Sequence, residues 1–127
     1  PGGFGVAKNL CSWASQGSHC EVNSEVKRVI EEFYKQHKPI AAICIAPALI
    51  ARVLGKNRIT LTIGNDKETS DEIEKTGAKH EICSVEDYVT DRDHKIISTP
   101  AYMCGEAKPH EIFKGISGLA KELVEMA

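Results

Sequence analysis

One strand–turn–helix–strand pattern in the middle of the chain constrains the fold more than any other feature. Residues 40–43 are apolar, as in a parallel strand that is buried on both faces. Residues 46–54 have helical periodicity, with Pro47 in the first turn, where its missing N–H would be unpaired anyway, and Gly55 at the position of a C′ glycine. Residues 58–63 alternate like a second strand. The pattern predicts a β-α-β unit with a right-handed crossover, and therefore an α/β fold.

The rest of the chain predicts further elements of both kinds. Asn23 or Ser24 is a suitable N-cap for an amphipathic helix that extends to His37, and Gly77 is expected to end a short polar helix over 70–76. A last helix is predicted to begin near Pro109. The remaining predictions are a short helix over 7–15, a brief strand over 80–83 and a β-hairpin formed by 88–90 and 95–98.

Length and charge predict one domain and exclude some classes of partner. The chain has 127 residues, and its 16 Lys and Arg against 18 Asp and Glu leave a formal net charge of −2. No excess of basic residues is present to hold nucleic acid or an anionic membrane surface. The five cysteines are odd in number and lack Cys-x-x-Cys spacing, which indicates a reducing compartment. We expect a globular protein that binds neither nucleic acid nor a membrane.

Cys44, between the predicted strand and helix, is the strongest candidate for a reactive residue. A nucleophile elbow needs small residues two positions to either side, and Ala42 and Ala46 meet this requirement. A thiol there would face the positive end of the helix dipole, which favours the thiolate. The alternative is an inert buried cysteine that acts as a small hydrophobic residue, which is the interpretation we favour for Cys11, Cys20, Cys83 and Cys104.

The first five residues, Pro-Gly-Gly-Phe-Gly, form a second candidate site. Consecutive glycines let backbone N–H groups point into one space, where they can hold an oxyanion, a carboxylate or a phosphate. The segment is neither a dinucleotide fingerprint nor a Walker loop. An ordinary tight turn remains the alternative.

A cysteine nucleophile usually needs a neighbouring base, and the chain offers few candidates. His19, His37 and His94 are expected to be solvated. His80 and His110 are the two histidines that we consider as candidates for a base near Cys44. The sequence has no cluster with the spacing of metal ligands, so we expect no metal site.

Several of these segments together resemble one protein family. They are 1–10 (PGGFGVAKNL), 44–48 (CIAPA), 61–64 (LTIG), 76–80 (TGAKH) and 98–103 (STPAYM). In this order they resemble the ES-one, or enhancing-lycopene-biosynthesis (ElbB-like), family. That family belongs to the class I glutamine amidotransferase-like superfamily, near the PfpI and Parkinson-disease deglycase branch.

The resemblance implies a flavodoxin-like three-layer α/β/α sandwich with a mostly parallel sheet, incomplete at its N-terminal side. By this resemblance, residues 1–127 are one domain that lacks its first strands and helices, together with the glutamate that hydrogen-bonds the elbow cysteine in the superfamily. Cys44 would be the nucleophile, Gly3 and the amide of Ile45 the oxyanion donors, and Gly2 would shape the turn. The strands at 40–43 and 58–63 would then leave a sheet with an open edge, which is expected to fold poorly alone.

The resemblance also implies a function, a glyoxalase-type activity on small α-oxoaldehydes without an external cofactor. Gly64 stands where the deglycase branch has a histidine, and Thr99-Pro100-Ala101 stands where glutamine amidotransferases have His-Pro-Glu, so glutaminase activity is not expected. The alternative is a non-enzymatic metabolite-binding or redox-sensing protein. We further expect a homodimer, in the mitochondrial matrix if eukaryotic and in the cytoplasm if bacterial.

Overall fold

Five helices and five strands make up the fold in the computed structural model, which describes residues 1–127. In chain order they are α1 (Trp13–Gln16), α2 (Ser24–Lys35), β1 (Ile40–Ile43), α3 (Ala46–Leu54), β2 (Thr60–Leu61), α4 (Lys67–Lys75), β3 (Lys79–His80), β4 (Val89–Asp91), β5 (Ile96–Thr99) and α5 (Pro109–Met126). Single turns of π-helix (Val6–Leu10) and 3₁₀-helix (Gly17–His19, Gly55–Asn57, Ala101–Met103) connect them. None of the helices is both long and apolar enough to cross a lipid bilayer.

The strands form two small sheets that are mostly parallel. β1 runs parallel to β5 with Ile43 opposite Thr99, and β4 pairs antiparallel with β5. β2 and β3 form a separate parallel pair. The α/β class is confirmed, but the strand beside β1 is β5 rather than β2, which differs from the predicted β-α-β unit. The Ser98 Oγ accepts a 2.9 Å hydrogen bond from the Thr62 N–H, so a side chain links β5 to the end of β2 although the two strands form no backbone ladder.

Helices cover both faces of the β1–β5 pair, as a three-layer sandwich requires. Ala42 and Ile96 face the main hydrophobic core, which α3 supplies with Ala48, Leu49 and other buried residues. On the opposite face, α5 approaches Thr99 closely at Gly115, where a β-carbon would stand 2.9 Å from the threonine Oγ1. β1 has no pairing partner on its other edge.

Helix boundaries follow the caps more closely than the apolar periodicity. The Asn23 side chain accepts hydrogen bonds from two amides in the first turn of α2 and confirms the predicted N-cap. α4 begins at Lys67, three residues before the prediction, because the Asp66 carboxylate caps it. The helix predicted over 7–15 is interrupted: helical turns cover Val6–Leu10 and Trp13–Gln16, but Cys11 between them is extended and forms a β-bridge with Val22. Gly55, the predicted C′ glycine, does not have a left-handed backbone conformation. The residue with that conformation after α3 is Arg58.

Candidate active site

The predicted strand, sharp turn and helix around Cys44 are present. β1 ends at Ile43, α3 begins at Ala46 with Pro47 in its first turn, and Cys44 has a φ of 68°. This left-handed conformation is costly for a residue with a side chain and is typical of functional turns. The Cys44 N–H donates a 3.0 Å hydrogen bond to the Thr99 carbonyl, so the end of β5 holds the turn in place. The elbow is therefore a strained turn fixed by its neighbouring strand.

The glycine turn at the start of the chain lies directly against this elbow. A β-carbon at Gly2 would stand 2.5 Å from the Ile43 carbonyl oxygen, 2.8 Å from the Cys44 β-carbon and 3.0 Å from the Ile45 nitrogen. These distances are too short for any residue but glycine, because all three atoms belong to the elbow itself. Gly3 has a φ of 109°, and the space beside it is open. The structure thus brings together the two segments that the sequence indicated as candidate sites.

Two backbone amides beside Cys44 have no acceptor in the protein. Neither the Gly3 N–H nor the Ile45 N–H donates to any backbone carbonyl, while the Gly3 carbonyl accepts from the Val6 N–H at 3.0 Å. Gly3 itself is exposed, so its amide is open to solvent or to a ligand. Free amides next to a nucleophile are the usual components of an oxyanion hole.

The Cys44 thiol is half-buried and makes no hydrogen bond to a base. The thiols that do donate are those of Cys11, to the Val6 carbonyl, and Cys83, to the Ser84 carbonyl. No group of three or more His, Cys, Asp or Glu side chains is arranged to hold a metal ion. The nucleophile, the turn and the amides are therefore assembled here without the residue that would move protons.

His80 is one of the two histidines considered as a base for Cys44, but its ring is engaged in a different hydrogen bond. It lies on β3 beside β2, and its Nε2 accepts a 3.1 Å hydrogen bond from the Ile63 N–H. Burial lowers the pKa of His80, which favours the neutral ring that this bond requires. The lone pair that a general base would use thus serves to hold the end of β2.

None of the other histidines forms a hydrogen bond with Cys44. His19 and His37 are exposed, as predicted, and so is His110, the second histidine considered as a base for Cys44. The expectation that His94 is solvated is wrong: its Nδ1 lies 2.8 Å from an Asp91 carboxylate oxygen, and its ring stacks on Tyr34. This pair belongs to the hairpin turn between β4 and β5, at the opposite end of β5 from Thr99.

The two departures from the family pattern both lie beside the elbow. Gly64 is buried with a φ of 105°, and a β-carbon there would stand 3.2 Å from the Pro100 β-carbon. Thr99 contacts Cys44 through its carbonyl, while its hydroxyl donates to the Asp87 carbonyl at 2.7 Å. The position that holds a histidine in the deglycase branch is thus filled by backbone packed against Pro100.

Cys104 is the site-proximal residue that the sequence argument missed. Its sulfur lies 3.6 Å from the position of a β-carbon at Gly64. Its pKa is raised by burial and, secondly, by the charge of Cys44. Burial also raises the pKa of Cys83, to about 11. The one sequence signal that could have indicated Cys83 or Cys104 as a residue near the site is its position beyond the end of a predicted strand. Cys11 and Cys20 are core residues, as expected.

One cleft lies elsewhere on the molecule. Its volume is about 440 Å³, and three basic side chains contribute to its walls: Lys27 of α2, Arg52 of α3 and Lys56 of the turn that follows α3. Cys44 is not part of its lining, because this residue precedes the opposite end of α3. A second cleft, of about 390 Å³, is lined by Met103, Cys104 and Glu111 among others.

Known proteins resemble this chain in sequence and in fold. No protein-family model matches the chain. The chain is 40% identical over 135 residues to human glutamine amidotransferase-like class 1 domain-containing protein 3, mitochondrial, and 39% identical over 135 residues to the rat ES1 protein homolog, mitochondrial. A crystal structure from Ehrlichia chaffeensis, of an isoprenoid biosynthesis protein with an amidotransferase-like domain, superposes with a TM-score of 0.87 at 32% identity.

This chain belongs to the ES1/ElbB-like family. Each match covers 99% of the chain, but 50% of the rat protein, 49% of the human protein and 56% of the Ehrlichia chain. The ES1/ElbB-like chain therefore spans about half the length of the curated relatives it matches. Its fold is that of a glutamine amidotransferase-like domain, which agrees with the flavodoxin-like architecture expected from the sequence.

Proposed function

We propose that this protein is a cysteine-dependent, glyoxalase-like enzyme that converts small α-oxoaldehydes, such as methylglyoxal or glyoxal, to hydroxy acids. One observation supports the proposal above all others. Cys44 occupies a strained turn in contact with Gly2, and the adjacent Gly3 and Ile45 amides have no acceptor in the protein. A nucleophile beside two free N–H donors suits addition to a carbonyl group.

The reaction begins with addition of the Cys44 thiolate to the aldehyde carbon. A carbon–sulfur bond forms, the carbonyl electron pair moves to oxygen, and the Gly3 and Ile45 amides stabilise that oxyanion. A proton then moves from the former aldehyde carbon to its neighbour, so that the first carbon is oxidised to a thioester and the second is reduced to an alcohol. Water cleaves the thioester and releases the hydroxy acid and the thiol. The net reaction consumes one water molecule and needs no external oxidant or cofactor.

The proton transfer requires a base, and no hydrogen bond in this chain brings a carboxylate or imidazole to Cys44. His80 is engaged by the Ile63 amide. We assign the step to a carboxylate from the part of the longer relatives that this chain does not span, as the resemblance to the superfamily implies.

Lactate formation from methylglyoxal tests this function in the protein expressed from its complete natural reading frame. We expect Cys44→Ala to lower the rate by at least about 100-fold, because it removes the nucleophile. Cys83→Ala is the matched control, a half-buried cysteine beyond β3, and should retain the rate. Circular dichroism checks that both variants fold. A wild-type rate no faster than that of Cys44→Ala would contradict the proposal.

The absence of a histidine at Gly64 favours a second candidate function, a metabolite-binding or redox-sensing protein without turnover. Cys44 would then be oxidised by peroxide to sulfenic or sulfinic acid. Mass spectrometry after peroxide treatment should find Cys44 more oxidised than Cys83. Equal oxidation of the two would argue against this candidate.

Compartment and assembly are part of the proposal. Because the human and rat relatives are named as mitochondrial, we propose the mitochondrial matrix for a eukaryotic source and the cytoplasm for a bacterial one. We also propose a homodimer, which light scattering on the purified protein would test.

A further inference from the structure

The cleft of about 440 Å³, which Cys44 does not line, has an excess of positive charge. Lys27, Arg52 and Lys56 line it, and Glu21 is the one acidic side chain in its wall. The whole chain, in contrast, has a formal net charge of −2. We call this cavity the basic cleft, because its walls carry three positive charges and one negative charge.

Two of the three cations in the basic cleft have no acidic partner. Arg52 and Lys56 take part in none of the ion pairs of the molecule. The Arg52 Nε donates a 2.7 Å hydrogen bond to the Cys20 carbonyl, and neither of its Nη groups has an acceptor in the protein. The Lys27 Nζ lies 3.9 Å from the Glu31 Oε1, at the outer limit of an ion pair. The protein therefore leaves most of this positive charge uncompensated.

Helix dipoles account for only part of the basic cleft. Arg52 and Lys56 lie near the C-terminal end of α3, where the helix dipole favours cations. Lys27 lies near the N-terminal end of α2, and its N–H donates to the carbonyl of the N-cap, Asn23. The dipole favours an anion at that end of a helix. A bound anion would offset the unfavourable interaction between the α2 dipole and the Lys27 ammonium group.

Contacts between distant segments hold the walls of the basic cleft in place. The β-bridge between Cys11 and Val22 fixes the segment before α2, and the hydrogen bond of Arg52 joins that segment to α3. On the other side, a β-carbon at Gly55 would stand 2.5 Å from the Thr76 carbonyl oxygen, so the ends of α3 and α4 are in close contact. A site with fixed walls loses little conformational entropy when a ligand binds.

The charge and lining of the basic cleft match one class of ligand. Two uncompensated positive charges suit a phosphate monoester, which carries a charge of about −1.5 to −2 at pH 7, better than a carboxylate with one charge. The two Nη groups of Arg52 can bind phosphate oxygens in a bidentate manner. Val22 and Val53 add apolar surface to the same cleft. Its volume of about 440 Å³ is within the range of small-molecule sites, about 300–1,000 Å³.

We propose that the basic cleft binds a small phosphate monoester. Arg52 and Lys56 hold the phosphate group, Lys27 adds a third positive charge, and Val22 and Val53 contact the organic part of the ligand. The inference goes beyond the proposed function and does not depend on it, because Cys44 does not line this cleft.

Isothermal titration calorimetry with phenyl phosphate tests the inference in the protein expressed from its complete natural reading frame. We expect saturable binding at least about 10-fold tighter than that of benzoate, which has the same ring but only one negative charge. Inorganic phosphate, which has no ring, should bind more weakly than phenyl phosphate because it cannot contact the apolar walls. The affinity for phenyl phosphate should fall as the salt concentration rises.

Variants of the lining residues test where the ligand binds. Lys56→Gln should weaken the binding of phenyl phosphate by about 10-fold, because a charge-assisted hydrogen bond is lost. The Lys56 side chain forms no ion pair in the protein, so this variant is expected to fold even if Arg52→Gln does not. Glu21→Gln should strengthen binding several-fold, since it removes the one negative charge of the cleft. Arg28→Gln is the matched control, because Arg28 is paired with Glu25 outside the cleft, and it should keep the wild-type affinity.

Three results would overturn the inference: no detectable binding of phenyl phosphate at millimolar concentration, equal affinities for phenyl phosphate and benzoate, or equal losses of affinity in Lys56→Gln and Arg28→Gln. Wild-type affinity in Lys56→Gln would place the phosphate at another site, such as the free amides beside the elbow, and would also overturn it. Lactate formation is measured separately, so failure of the enzyme proposal is distinguishable from failure of this one.

Discussion

The α-carbon of Gly2 lies so close to Cys44 that a β-carbon on Gly2 would stand 2.8 Å from the Cys44 β-carbon. This contact joins the first residues of the chain to a turn in its middle. It gives the glycine-rich start a physical role, because only a residue without a side chain lets the Gly3 amide come near the elbow. The arrangement at the site therefore depends on how closely two backbone segments approach one another.

Gly2→Ala should disrupt the elbow without unfolding the core. The added methyl group would meet the Ile43 carbonyl and the Ile45 nitrogen, both backbone atoms, so the turn must shift. We expect a loss of about 100-fold in methylglyoxal turnover, as for other small displacements of catalytic groups. Gly5→Ala is the control, because its methyl group would meet only the flexible Asn9 side chain at 3.6 Å. Similar rates for the two variants would count against the contact.

Gly64→Ala should lower the free energy of unfolding by about 1–3 kcal/mol. Its φ of 105° is unfavourable for alanine, and the new methyl group would press on Pro100 at 3.2 Å. Gly105→Ala, with open space around it and no positive φ, should change stability by less than about 1 kcal/mol. Urea denaturation measures both. An unchanged midpoint for Gly64→Ala would show that the strand end relaxes easily.

His80 should make stability depend on pH. Burial lowers its pKa below the ordinary value of 6.5, so the unfolded chain binds a proton at a pH where the folded chain does not. The stability that the neutral His80 ring contributes is complete above pH 6.5. It is lost as the pH falls from 6.5 toward the lowered pKa of His80 in the folded protein. His80→Gln, which keeps an acceptor for the Ile63 N–H, should reduce this loss between about pH 7 and pH 5, as measured by urea denaturation.

Exposed His110 provides the control for that titration. His110→Gln makes the same replacement at an exposed histidine and is the matched control variant. Asp66, Glu72 and Glu86 also have lowered pKa values, but their ordinary values are 3.8 and 4.5, so they act at more acidic pH. Equal pH profiles for wild type and His80→Gln would contradict the assignment to His80.

Asp91→Ala should destabilise the protein by about 2–4 kcal/mol. The side chain is largely buried, and its Oδ2 accepts from the Thr60 N–H at 2.7 Å while its Oδ1 accepts from the His94 N–H at 3.1 Å. Loss of the carboxylate leaves both donors unpaired and separates β2 from the hairpin. Asp93→Ala, an exposed residue of the same turn, should cost less than about 0.5 kcal/mol. Thermal or urea unfolding compares the two variants, and equal losses would refute the role given to Asp91.

Local patterns were sufficient for several elements of this fold. β1 has the predicted boundaries, α3 occupies residues 46–54, and α5 begins at Pro109. Each of these is set by the spacing of apolar residues and by proline, which act over a few positions of the chain. The N-cap at Asn23 is a similar case, because a cap is a contact between near neighbours in the sequence.

Such local patterns could not predict contacts between segments that are distant in the sequence. The apolar alternation before Gly64 indicated a strand, but not that β1 would pair with β5. His94 was expected in solvent because its neighbours are polar, and it lies instead between Asp91 and Tyr34. In the sequence, nothing distinguishes Cys104 from the other cysteines outside the elbow. Only the structure shows that its sulfur lies near Gly64.

By itself, the sequence determined the strand, the turn and the helix that carry Cys44, together with the glycines that a close approach requires. Only the tertiary structure decided which groups surround that cysteine: Gly2 on one side, the Thr99 carbonyl on another, and Cys104 near the ends of the same strands. The physical reason is the sequence separation over which each kind of interaction acts. Periodicity, caps and turn residues act between neighbours, whereas the surroundings of a thiol depend on how the whole chain packs.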